Sequence, residues 1–143
     1  RAQDTTVDDL LHCNAIAIGS PEYFGTMAGM IKDFFDRTYA SAQDKTIGLP
    51  FVCFVCAGND GRGALTQMER IIAGYKWRQA LEHQRIVGPP TDEDFIRIEE
   101  LGHTMAAGVG MDPVLVVVHG DGAPSLTLYR LQAATPKEHR HAQ

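Results

Sequence analysis

Four consecutive apolar residues, Ala15-Ile16-Ala17-Ile18, stop at Gly19-Ser20-Pro21, and a helix-period pattern follows them. A short apolar run without polar interruption is the pattern of a strand covered on both faces, as in a parallel sheet. Beyond the loop, Ala28, Ile31, Phe34, Phe35 and Thr38 recur at helical spacing, while Lys32, Asp33, Asp36 and Arg37 occupy the positions between. That arrangement describes a helix with one apolar face laid on a sheet. Buried strand, tight loop and amphipathic helix in unbroken succession commit the chain to an α/β architecture.

The same alternation continues. Residues 51–57, Phe-Val-Cys-Phe-Val-Cys-Ala, read as a second buried strand that ends in Gly58-Asn59-Asp60-Gly61-Arg62-Gly63. Residues 64–79 predict a helix with Leu65, Met68, Ile71, Ile72 and Tyr75 on its apolar face. Trp77 follows, and Arg85-Ile86-Val87-Gly88 makes a short strand before Pro89-Pro90. Thr91 then caps a last helix with Asp94 three residues on, a variant of the capping box, and Asp92 and Glu93 favour the positive end of its dipole. Phe95, Ile98, Leu101 and Met105 give that helix its buried stripe. At the other end, Thr6 caps a short helix over residues 7–11. A length of 143 residues, 44% hydrophobic and 22% charged, suits one soluble domain with an ordinary core.

Two strand-end loops are the candidate ligand site, since open α/β sheets bind ligands outside the carboxyl ends of their strands. The first, Pro21-Glu22-Tyr23-Phe24-Gly25, offers two adjacent aromatics without an evident packing partner. The second carries three glycines in six residues, which permit positive φ angles and bring backbone close to a ligand. Ser20-Pro21-x-Tyr23-Phe24-Gly25, followed by Met27-x-x-x-x-Lys32-x-Phe34-x-Asp36-Arg37, resembles the flavodoxin-like family of FMN proteins. It is especially similar to NAD(P)H-dependent FMN reductases and quinone oxidoreductases of the tryptophan-repressor-binding-protein type. Glu100-Leu101-Gly102-x-x-Met105-Ala106 resembles the family's last helix, so the resemblance covers about residues 1–108.

The resemblance implies an α/β, three-layer, flavodoxin-like parallel sheet. It carries flavin contacts over to Ser20, Pro21, Glu22, Tyr23, Phe24 and Gly25, and to Gly58, Asn59, Asp60, Gly61 and Gly63. FMN is then the expected cofactor and NAD(P)H the electron donor, with a quinone or similar small molecule as acceptor. Because such chemistry resides in the flavin, no side chain is expected to act as an acid or base. An electron carrier without substrate turnover, or a degenerate scaffold that binds no flavin, would show much the same loops. The family also implies a homo-oligomer built through the helices beside the first loop. Met27 and Met30 extend apolar surface there, although methionine serves equally as core filler. Arg62 suits a nicotinamide cofactor's phosphate and plain solvent exposure about equally.

Against that pattern, the chain opens beyond the family's first strand, phosphate-binding loop and helix, so the expected sheet is truncated or rearranged at its first unit. Residues 1–110 are expected to form the core and residues 111–143 a strand-containing tail. Pro113-Val114-Leu115-Val116-Val117-Val118 predicts a strand, and residues 119–125 a loop. Either residues 126–134 form a helix that restores the missing unit in permuted order, with Ser125 at the phosphate, or residues 125–131 return as the second strand of a hairpin. The alternation in that segment and the Asp121-Gly122 turn signal favour the hairpin.

Several function classes are excluded or disfavoured. Three cysteines form no disulfide framework, and Cys53 and Cys56, three apart on a strand, point to opposite faces as core residues rather than a redox or metal pair. His139 and His141 fall short of a metal-ligand set, so no metal is expected. A net charge of −5 with scattered Lys and Arg argues against nucleic-acid binding. No apolar run approaches a membrane span and no leader pattern is evident, from which a cytoplasmic location is expected. Neither a G-x-S-x-G elbow nor a G-x-x-x-x-G-K-S/T loop is present.

Overall fold

The computed structural model describes residues 1–109 and 115–120. Its elements in chain order are a 3-10 turn at Ala2–Asp4, α1 (Val7–His12), β1 (Ala15–Tyr23), β2 (Thr26–Met27), α2 (Gly29–Ala42) and β3 (Pro50–Ala57). They continue with α3 (Arg62–Tyr75), β4 (Arg78–Gln79), β5 (Gln84–Val87), α4 (Asp92–Ala107) and β6 (Leu115–His119). β1 runs parallel to β3 through six register pairs from Ile16↔Phe51 to Pro21↔Cys56, and parallel to β6 on its other side. β4 and β5 both add parallel to the free edge of β3, one at its start and one at its end.

The strand-helix-strand connections set the layers. Right-handed crossovers place α2 and α3 on the same face of the sheet. There Phe34, Phe35, Met68, Ile72 and Tyr75 bury themselves against Ile16, Ile18, Phe51, Cys53 and Val55. α4 covers the opposite face, where Ile98 and Met105 meet Ala15, Ala17, Val52, Phe54 and Ile86. The alternation of these strand residues between two cores is the period of a strand buried on both sides. Cys53 belongs to the first core and Cys56 packs on the second, as their spacing requires. Both capping boxes form, Thr6 with Asp9 and Thr91 with Asp94.

Three expectations are corrected. The strand expected to stop at Gly19 runs on to Tyr23. Gly19 is where it passes the Phe54 ring, since a Cβ there would sit 2.0 Å from Phe54 Cζ, and parallel pairing then continues through Ser20 and Pro21. The helix expected to reach residue 79 ends at Tyr75, where Lys76 turns left-handed (φ +59°). The Trp77 indole N–H donates to Thr46 Oγ1 at 2.8 Å, which fastens the turn leading into β4. Phe95, placed in the buried stripe of α4, is 45% exposed, because it lies in the first turn, ahead of the stretch that covers the sheet.

Residues 115–119 of the tail form β6, which pairs parallel with β1 in the same sheet. Its last residues reach the end of β1: the Gly120 N–H donates to Gly19 O at 3.0 Å, and Gly120 lies against Pro21 and Ala28. The second strand of the hairpin, the alternative helix and His139 and His141 fall outside the described residues. Among the described residues no group of His, Cys, Asp and Glu could hold a metal ion, and no helix is long and apolar enough to cross a membrane.

Candidate functional site

β1 and β3 are neighbours, so the loops that leave their carboxyl ends stand side by side. The first is a hairpin: β1 pairs antiparallel with β2 through Glu22↔Met27 and Tyr23↔Thr26, leaving Phe24 and Gly25 as a two-residue turn. Both have positive φ, +52° and +72°, as a type I′ turn demands. Glycine adopts that conformation freely, whereas a phenylalanine held there costs on the order of 1–2 kcal/mol. Phe24 is also fully exposed, and Tyr23 about half exposed. A strained bulky aromatic that packs on none of the described residues is the kind of outlier that marks a ligand or partner contact.

Two contacts stitch the second loop to the first. Glu22 Oε2 accepts the Ala64 N–H at 3.0 Å, supplying across 42 residues the cap that the first turn of α3 lacks. A carboxylate at that position also sits favourably at the positive end of the α3 dipole. Gly63 meets the Gly25 carbonyl so closely that a Cβ on it would lie 2.0 Å from the oxygen. The glycine is thus required by the approach of one loop's backbone to the other's. Gly61 begins α3 in the left-handed region, at φ +71°.

The remaining expected site residues divide into supports and open groups. Ser20 is fully buried, its hydroxyl donating to Pro21 O at 2.7 Å and accepting the Ala28 N–H at 2.9 Å, so it holds the root of the hairpin and the start of α2. Asp60 Oδ1 accepts the Arg62 N–H at 2.9 Å, and Arg85 from β5 donates to the Asp60 carbonyl. Gly58 and Asn59 are exposed. Among the described residues, no hydrogen bond from the backbone amides of Gly58, Asn59, Asp60 or Gly61 finds an acceptor. Arg62 is exposed, with only a 3.9 Å approach to Asp60.

Cys56, half-buried at the carboxyl end of β3, is the thiol nearest these loops in sequence. Burial first, and the Asp94 charge second, push it up to about 11, so it stays a neutral thiol at physiological pH. Cys13 is likewise raised to about 11 by burial, and Cys53 further still. Thiolate chemistry has no seat here. Sequence reasoning takes Glu22 most simply as a loop-stabilising carboxylate but misses its partner, the Ala64 amide 42 residues away, and it misses the hairpin, whose signal was the Gly25 that ends the aromatic pair.

A family model described as NADPH-dependent FMN reductase matches residues 4–88, more than half of the chain. An NAD(P)H dehydrogenase (quinone) of Paracoccus denitrificans (strain Pd 1222) is 36% identical over 70 residues. That match takes in 48% of this chain and 34% of the relative, so the chain spans about a third of the length of the curated protein it matches. Among solved structures, a flavodoxin from the domain Archaea superposes with a TM-score of 0.66 at 26% identity, over 76% of this chain and 73% of that one. Parallel sheet, three layers and paired strand-end loops agree with these likenesses, and the chain belongs to the NADPH-dependent FMN reductase family, on a flavodoxin-like fold.

Proposed function

We propose that the crevice between the hairpin and the glycine-rich loop holds FMN, and that the chain passes electrons from NAD(P)H through it to a quinone or similar small acceptor. One observation carries this reading: two stitched loops present the fully exposed Phe24 on one side and, among the described residues, amides without an acceptor on the other. An isoalloxazine ring has apolar faces and one polar edge. Tyr23, Phe24 and Gly25 suit the faces, with the buried Pro21 beneath them, and the exposed amides of Gly58, Asn59 and Asp60 suit the edge, with the buried Gly61 turning the chain into α3. Glu22 and Gly63 hold the two loops together, and Ser20 anchors the hairpin at its root. These residues fit the cofactor that the family name implies.

When bound, FMN supplies the hydride-accepting and electron-donating chemistry, which is the cofactor's own. The chain's task is to position, cover and tune. Tyr23 and Phe24 limit access to the ring, and the Glu22 carboxylate, held by the Ala64 amide, places a fixed negative charge beside the site. The donor and acceptor follow the names of the family and of the Paracoccus relative. A second reading, an electron carrier without substrate turnover, draws on the likeness to a flavodoxin. Assembly as a homo-oligomer is supported by Phe24 and Met30, exposed together beside the start of α2.

An FMN titration of the chain, followed by flavin fluorescence, tests the proposal directly. Stoichiometric quenching is expected, and folded protein that leaves the fluorescence unchanged would sink it. Anaerobic mixing of the loaded protein with NADPH or NADH then separates the two readings. Bleaching of the flavin absorbance within a catalytic time scale identifies a reductase, and an unreactive flavin identifies a carrier.

A further inference from the structure

Gly58, Gly61 and Gly63 give the loop after β3 a wide choice of backbone conformations. A loop that keeps such freedom has to lose it when a ligand binds, and affinity falls accordingly. This loop is held in advance, and by its acceptors. Asp60 is fixed at two atoms: its Oδ1 accepts the Arg62 N–H at 2.9 Å, and its backbone carbonyl accepts a guanidinium N–H of Arg85 from β5. The first bond is local, an Asx turn closed within two residues. The second comes from 25 residues away and ties the loop to the strand beside β3.

The register of the sheet places Arg85 for that contact. It lies opposite Val55, and β5 keeps pairing with β3 through Ala57↔Val87, after which the Gly88 N–H donates to Ala57 O at 2.8 Å. The strand therefore runs alongside β3 to the point where the loop begins. A Cβ on Gly61 would meet Val55 Cγ1 at 3.1 Å, Ala57 Cβ at 3.5 Å and Arg85 Cδ at 3.7 Å. The loop's left-handed residue is thus seated between β3 side chains and the aliphatic stem of the arginine. Among the described residues Arg85 has no carboxylate partner, and its guanidinium is directed at backbone instead. Because a peptide unit is planar, fixing the Asp60 carbonyl also fixes the plane that leads into Gly61. Gly58, Asn59 and Asp60, exposed and with amides that find no acceptor among the described residues, stand directly before that plane in the chain.

We propose that Arg85 is a positioning residue for the flavin crevice: by holding the Asp60 carbonyl it presets the glycine-rich loop, so that the open amides are already arranged when FMN arrives. The assignment deepens the proposed flavin site and rests on it for the ligand, whereas the order of the loop is a property of the ligand-free chain. Relaxation of the Gly58, Asn59 and Asp60 amides, measured by NMR without ligand, reads that order, and FMN titration reads its consequence. Arg85→Met keeps the stem and removes the donors. In that variant the three amides should become more mobile, and the FMN dissociation constant should rise about tenfold, as a lost preorganisation of this kind supplies. The unfolding midpoint should hold, since the contact is exposed. Arg85→Lys keeps a donor on a long stem and should recover part of both losses.

Amides no more mobile in Arg85→Met than in the wild-type chain overturn the assignment. A loss of affinity that disappears as salt is added overturns it too, because Arg85 would then be a point charge that attracts an anionic ligand. Titration of the wild-type chain keeps the two readings apart. A wild-type chain that takes up no FMN loses the flavin site itself. One that binds FMN with an affinity unchanged in Arg85→Met keeps the flavin site and loses only the positioning role.

Discussion

Cys53 and Gly58 are five residues apart, one in the middle of β3 and one just past its end, yet their surroundings treat backbone polar groups in opposite ways. At Cys53 the edge of β3 has a gap, because β4 pairs with residues 50–51 and β5 with residues 54–57. His83 fills it: its Nδ1 accepts the Cys53 N–H at 3.0 Å, and its ring packs on Phe51. A side chain thereby replaces one rung of the sheet. At Gly58 through Asp60, all exposed like Phe24, no such substitute exists among the described residues. The fold meets a buried amide with a dedicated acceptor and leaves a row of exposed ones open. Open donors gathered at one rim of the sheet are therefore a property of the site, not of loose packing.

The largest expected effect comes from forcing the two loops apart. Gly63→Ala sets a methyl group 2.0 Å from the Gly25 carbonyl, a clash with backbone that no rotamer relieves. A destabilisation of about 1–3 kcal/mol is expected, as for other overpacked sites. FMN affinity should fall about tenfold or more beyond it, which is the loss of one 1.4 kcal/mol step in binding. Urea unfolding and flavin titration of the same sample measure both. An affinity unchanged in the variant would mean that the spacing of the loops does not make the site.

His83→Leu is the matching change at the edge. It strands the Cys53 N–H, at a cost of about 1–3 kcal/mol for an unsatisfied buried donor, while leaving FMN affinity intact. Loss of flavin binding together with stability would show that edge and rim are one cooperative unit. The same histidine gives the edge a pH dependence. Because the Cys53 N–H points at Nδ1, the neutral ring carries its proton on Nε2, which approaches Glu69 Oε1 at 3.2 Å without the alignment of a hydrogen bond. Burial lowers its pKa from the ordinary 6.5, and the Glu69 charge only partly opposes this. The unfolded chain thus takes up a proton first as pH falls below about 6.5, the ordinary histidine value. Stability is complete above that value and declines below it until the folded-state pKa is passed. The thermal midpoint of the wild-type chain should fall across that window more steeply than that of His83→Leu, and equal slopes would remove the histidine from the account.

How much of this was legible in the sequence follows the distance over which each feature is determined. The run at residues 15–18, the stripe of α2, the cap of α1 and the capping box of α4 are specified within a turn or two of chain, and they appear where their patterns placed them. The end of α3 was not legible, because Lys76 turns left-handed where Trp77 reaches Thr46, 31 residues back. The hairpin was missed for a local reason: an aromatic residue at positive φ contradicts ordinary preference, and Ser-Pro reads as a stop. The site loops were legible as loops with unusual composition. That Glu22 caps α3, that Gly63 serves Gly25 and that His83 serves Cys53 depend on tertiary neighbours 30 to 42 residues apart, which no local pattern encodes.

Two smaller substitutions sharpen what the rim is for. Glu22→Gln keeps an acceptor for the Ala64 N–H but removes the charge from the start of α3, and about 0.3–1 kcal/mol of stability should go with it. If the carboxylate also tunes the flavin, the reduction potential of the bound cofactor should rise in the variant, since a negative charge beside the ring disfavours the electron-rich state. A potential that does not move confines Glu22 to capping. Phe24→Gly tests the opposite limit. The side chain buries nothing in the described structure, and glycine accepts its φ of +52° without strain, so stability should hold within about 0.5 kcal/mol or increase slightly. An aromatic at a strained, exposed turn that packs on none of the described residues is suited to a contact with a ligand or partner. Flavin affinity, acceptor rate or oligomeric state should change while the melting curve does not, and a variant unaltered in all three would leave Phe24 without a role at the rim.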